Sequence, residues 1–205
     1  MLFRSPRTPI EESLRALDDL VKAGKIRYFG ASHFAPWQHV EAHYVARMNG
    51  LSRMICCEDE YSVLVRKAEK ELLPAARACQ MGILPYYPLA SGMLTGKYAK
   101  DAEMPKGSRM QRAERNYADV FFTEANWNRL RKLTDFAEQR GHTILELAVS
   151  WLLAQPIVGS VIAGATKPEQ VEANVKAANW ALTAQELKEV DEIEKARKSF
   201  GAHFA

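Results

Sequence analysis

One pattern constrains this chain more than any other: short apolar runs alternate with longer stretches whose apolar residues recur at helical spacing. The first helix opens at Thr8-Pro9-Ile10-Glu11, where Thr8 can cap, Pro9 suits the first helical position and Glu11 completes a capping box. Ile10, Leu14, Leu17 and Val21 then mark one face, and Gly24 closes the element. Strand-like runs follow at 26–31, 54–57, 83–87 and 160–163. Between and after them, helices are expected at 36–48, 67–79, 124–140, 143–153, 167–178 and 183–196. Thr143 to Glu146 and Thr183 to Glu186 are two further capping boxes.

Strands alternating with helices point to an α/β fold with a parallel sheet and helical crossovers. A small doubly wound sheet and a piece of a (β/α)8 barrel both fit. A complete barrel needs eight strands and roughly 250 residues, whereas about four strands are read here, with an extra C-terminal helix and a single domain over 1–205. No Gly-x-Gly-x-x-Gly follows a strand, so the Rossmann fingerprint is missing. Residues 90–122, rich in Gly, Lys, Arg and Asn, break the rhythm; a loop that long in a compact domain is usually functional or mobile.

Composition narrows the function classes. A net charge of +3 with acids and bases interspersed argues against a nucleic-acid binder. The basic stretch Arg129, Arg131, Lys132 reads as a solvated helix face. No apolar run reaches membrane-span length, and Met1 to Arg7 hold no secretion-signal core, so a cytoplasmic protein off the membrane is expected. Cys56 and Cys57 sit adjacent in a strand and point to opposite faces, which reads as reduced packing residues rather than metal ligands. His39 and His43 lie four apart on one helix, a spacing that can bind metal, but no third ligand is evident and they read as surface histidines.

Three ordered segments resemble the aldo-keto reductases, and together they cover nearly the whole chain. The first is Thr8 to Leu20 with Gly24-Lys25-Ile26-Arg27-Tyr28-Phe29-Gly30-Ala31-Ser32. The second is Pro85-Tyr86-Tyr87-Pro88-Leu89-Ala90-Ser91-Gly92-Met93-Leu94-Thr95-Gly96-Lys97-Tyr98. The third is Ala148 to Gln155 with Val161-Ile162-Ala163-Gly164-Ala165-Thr166-Lys167-Pro168-Glu169-Gln170-Val171. The resemblance implies a partial (β/α)8 TIM barrel, with the family's strands five to eight present and one to four absent. It also implies NADPH bound in extended form at the C-terminal strand ends, and reduction of a small carbonyl substrate.

By that resemblance, Tyr86 stacks on the nicotinamide ring. Ser32, His33 and Glu58 stand where the family reads the carboxamide, usually with Ser-Asn and Gln. Tyr87 replaces a usual Ser, and an ionised Glu58 keeps only acceptors. Pro88, Leu89, Gly92 and Leu94 match the turn around the pyrophosphate, with Thr95 and Lys97 adding a hydroxyl and a cation. Arg109 matches the arginine of the loop that closes over the cofactor. Gly164, Thr166, Lys167, Gln170 and Asn174 match the adenosine end, where a helix N-terminus is a natural phosphate site.

The family's proton-donating Tyr and its Lys, Asp and His come from the first four strands and have no matching motif here. The expectation is therefore a truncated reductase, inactive or weakly active alone and completed by an N-terminal half. The alternative is a non-catalytic nucleotide-binding or interaction protein that reuses the half barrel. Open sheet edges at 26–31 and 160–163 would then invite self-association.

Overall fold

A computed structural model describes residues 8–112 and 121–195. The described residues divide into two compact units, one built from those of 8–61, 66–86 and 156–162, the other from those of 62–65, 87–112, 121–155 and 163–195.

The first unit carries the sheet. Helix α1 (Ile10–Lys22) leads to β1 (Gly30–Ser32), α2 (Pro36–Met48), β2 (Cys56–Glu60), a 3-10 turn (Lys67–Glu69), α3 (Leu72–Ala78) and β3 (Gly82–Tyr86). The strands are parallel in the order β1-β2-β3, with Ser32 aligned to Glu58 and Glu60 to Tyr86. Parallel neighbours need a helical crossover, and α2 and α3 supply it. Leu14, Ala42, Ala46, Cys57, Ala76 and Ile83 are fully buried and form this unit's core.

The fourth strand expected at 160–163 does not form. Just before this segment Val158 makes one parallel bridge to Ile83 and Gly159 N–H donates to Ile83 O, and within it Ile162 N–H donates to Pro85 O. Contact with β3 is thus real but too sparse for a ladder. The third strand ends at Tyr86, leaving Tyr87 to begin the following turn.

The expected cap at Thr8 also differs. Pro9 occupies the cap position without a side-chain bond, and α1 is held at its far end instead. There the buried Asp18 accepts from Ser52 N–H at 2.9 Å and pairs with Lys22 at 2.6 Å. The Lys22 bond, then the Ser52 N–H, hold its carboxyl down to about 2.

His39 and His43 are not surface residues. They lie with Ala42 and Ala46 on the buried face of α2, while Trp37, Tyr44 and Met48 face outward. Neither ring nitrogen of His39 has a hydrogen-bond partner among the described residues, and burial pushes its imidazole down to about 4 from 6.5. The unfolded chain therefore binds a proton that the folded one refuses. Stability is full above pH 6.5 and falls as pH drops toward about 4, at about 1.4 kcal/mol per pH unit. Asp18 adds a second loss between its ordinary 3.8 and about 2. Urea midpoints taken from pH 7.5 to 4.5 should decline in the wild-type chain and flatten in His39→Leu.

The second unit is helical. It comprises a 3-10 stretch (Ala90–Thr95), α4 (Arg109–Arg112), α5 (Glu124–Glu138), α6 (Ile144–Leu153), α7 (Pro168–Lys176), a 3-10 turn (Ala177–Asn179) and α8 (Ala184–Lys195). Met93, Leu94, Leu133, Leu147, Trp151, Leu152 and Val190 fill its core. The Thr143 and Thr183 boxes form as expected, each hydroxyl accepting from the N–H three residues on at 3.2 Å while Glu146 or Glu186 reaches back at 2.7 Å. Thr123 caps α5 in the same way, its hydroxyl accepting from Asn126 N–H. Arg129 departs from its expected solvated face. Its side chain is nearly buried against Glu194, and the guanidinium also donates to Leu64 O at 2.8 Å and Asn126 Oδ1 at 3.0 Å.

Candidate functional site

The C-terminal ends of the three strands gather one group of expected site residues. Ser32 is buried, and its hydroxyl donates to Glu58 O at 2.8 Å, tying β1 to β2. Directly after it His33 takes a left-handed conformation, φ 56°, which costs a non-glycine residue about 1–2 kcal/mol. Its ring lies 5.2 Å from that of Tyr86, tilted by 38°. Strained backbone of this kind clusters at ligand sites.

Strand alternation and parallel register put Glu58, Glu60 and Tyr86 on one face of the sheet and Asp59 on the other. Burial raises the Asp59 and Glu60 carboxyls above their ordinary values, and the charge of His33 works against that rise in both. The result is a partly desolvated patch of acceptors beside an aromatic ring.

The second group lies on the turn after β3 and on α7, within the helical unit. Tyr87, Ala90 and Ser91 have φ of 50°, 45° and 57°, and Gly92 has 98°. This winding is costly for the first three and open to Gly92, which has no Cβ. A Cβ on Gly92 would stand 3.0 Å from Lys97 Nζ. Thr95 Oγ1 donates to Gly92 O at 2.7 Å and closes the turn. Pro88 and Leu94 are buried and support it from within, Leu89 is half-buried, and Lys97 is exposed. Ser91 Oγ, a position not singled out from sequence, is buried without a hydrogen-bond partner among the described residues. Only packing could have revealed it, since a serine in a loop has no sequence signature of burial.

Arg109 begins α4 directly after Ser108; its side chain lies outside the described residues. Lys167 caps α7 with extended backbone, Pro168 follows it, and the side chain of Lys167 is exposed. Gln170 Oε1 accepts from Thr166 N–H at 2.7 Å and from Thr166 Oγ1 at 3.2 Å, fixing the entry to the helix. Gly164 has no atom within 4 Å of a Cβ position, and Asn174 is half-buried one turn beyond Gln170.

These features suit a phosphate-bearing ligand: a glycine turn that backbone can approach closely, a lysine at its rim, and a helix N-terminus behind a second lysine. They do not suit a metal. Among the described residues no three His, Cys, Asp or Glu side chains are grouped to hold one. Nor is any described helix long and apolar enough to cross a membrane.

Comparison with known proteins agrees with the motifs. The chain is 36% identical over 194 residues to a Schizosaccharomyces pombe protein named as a putative voltage-gated potassium channel subunit beta, covering 92% of this chain and 56% of that protein. It is 36% identical over 190 residues to the L-glyceraldehyde 3-phosphate reductase of Escherichia coli K12, covering 90% of this chain and 54% of the enzyme. An uncharacterized oxidoreductase of Bacillus subtilis is 33% identical over 187 residues, 91% of this chain and 55% of that protein. The chain thus spans little more than half the length of these relatives. The Aldo/keto reductase family model matches residues 4–195, and with the motifs in order along that length the chain belongs to the aldo/keto reductase family.

Proposed function

We propose that the chain belongs to an NADPH-dependent reductase of small carbonyl compounds, the helical unit's turn and α7 entry serving the cofactor's phosphates and the sheet unit's strand ends serving its ring. The observation that carries this reading is the turn from Tyr87 to Lys97, where left-handed backbone, Gly92 and Lys97 Nζ form a cradle with a cation at its rim. When bound, NADPH supplies the hydride. Tyr86 offers a flat face to its ring, and Lys97 and Lys167 neutralise phosphate. Arg109, which begins α4, matches the family arginine of the segment that closes over the cofactor. The proton for the nascent alkoxide comes from residues other than these, because no Tyr with its Lys, Asp and His matches the family's set here.

Titration of the chain with NADPH, followed by cofactor fluorescence, should saturate. No binding at millimolar cofactor would overturn the reading. Lys167 discriminates further: if it meets the 2′-phosphate, Lys167→Ala weakens NADPH by about tenfold or more, as expected for loss of a charge-assisted contact. NADH, which lacks that phosphate, should change little. Equal loss for both nucleotides would remove the 2′-phosphate assignment.

A further inference from the structure

The side chains sharing a sheet face with Tyr86 carry a charge that distinguishes the two redox forms of a nicotinamide. The forms differ at the ring by one unit, the oxidised ring being a cation and the reduced ring neutral. We propose that Glu58 and Glu60 make this site prefer NADP+ over NADPH, so that it retains the oxidised cofactor. The inference rests on the cofactor reading above.

Three observations support it. Glu58 and Glu60 are two residues apart on β2, so alternation directs both to one face, and Glu60 is paired in register with Tyr86. Both are half-buried, and burial is the largest influence on the Glu60 carboxyl. A carboxylate partly removed from water acts on a nearby cation more strongly than an exposed one. The Tyr86 ring adds to the same preference, because an aromatic face attracts a cationic ring beyond the stacking it offers a neutral one. A neutral amide at position 58 would bind the carboxamide without sensing the ring's charge. Glu58 accepts hydrogen bonds from the carboxamide amine and adds a negative charge.

The basic group acting on this patch is His33, whose charge lowers the Asp59 and Glu60 carboxyls. The His33 charge offsets part of the effect, so all variants are compared at one pH.

The test is isothermal titration of the chain with NADP+ and NADPH separately, for wild type, Glu58→Gln, Glu60→Gln and Glu12→Gln, the last an exposed helix residue. Wild type should bind NADP+ more tightly. Glu58→Gln should shift the ratio of the two dissociation constants toward NADPH by about tenfold, the size expected for one nearby charge at intermediate dielectric. Glu60→Gln should shift it the same way, and Glu12→Gln should leave it unchanged. If both nucleotides bind and neither Glu58→Gln nor Glu60→Gln moves the ratio, the charge preference is wrong while the cofactor reading stands. If neither nucleotide binds wild type at millimolar concentration, the cofactor reading itself fails, and this inference with it.

Discussion

Arg129→Ala should cost about 3–5 kcal/mol of stability, the loss expected when one partner of a buried ion pair is removed. The side chains of Arg129 and Glu194 are only 12% and 7% exposed. Deleting the guanidinium strands the Glu194 carboxylate in a nearly dry setting and leaves Leu64 O without this donor. The pair also ties α8 to α5 in the helical unit, so α8 should loosen first. Removing both charges is a different matter. Arg129→Met with Glu194→Leu should recover most of the loss, because two apolar side chains need no mutual compensation. By contrast Arg15→Ala, which breaks a pair 53% and 46% exposed, should cost at most about 1 kcal/mol. Urea unfolding with an unchanged slope would read all three.

Gly30→Ala should cost about 3 kcal/mol, the upper part of the range for overpacking. An added Cβ would stand 2.3 Å from Cys56 O and 2.6 Å from its Sγ. A flexible side chain could swing away, but a backbone oxygen moves only with its strand. Strand β1 pairs with β2 through Gly30, Ala31 and Ser32, so relieving the clash pulls apart the pairing that sets Ser32 against Glu58. Nucleotide affinity should fall together with thermal stability. Gly50→Ala is the control: its φ is 63° with nothing within 4 Å of the added carbon, so only backbone strain of about 1 kcal/mol is expected. Equal effects of the two substitutions would show that backbone conformation, not the Cys56 clash, governs Gly30.

What the sequence revealed followed from local chemistry. The boxes at Thr143 and Thr183 are complete within four residues, so their helix starts could be read directly. Thr8 carried the same residue types, yet the chain enters α1 through Pro9 without that bond. The run at 160–163 has strand composition but lacks the partner ladder that makes a strand. Helix α2 misled for another reason: its apolar and polar residues are scattered around the axis, and the buried side turned out to hold His39 and His43 rather than Trp37 and Tyr44. At the candidate site, motifs singled out the turn, Tyr86 and the α7 entry as expected cofactor contacts. They could not show that Ser32 commits its hydroxyl to Glu58 O, or that Ser91 is buried, since both depend on neighbours distant in sequence.

Helix α7 has no buried residue along its length, and Val171 and Val175 stand 52% and 67% exposed. A short helix gains little from propensity alone, so one without a buried face has few tertiary interactions to oppose its opening. Its stability is therefore set largely by its own turns and the Thr166–Gln170 clasp, with limited packing on α6. Occupancy at Lys167 would then act as a conformational load on the helix, with part of the binding free energy going into a local coil–helix equilibrium before any affinity is seen.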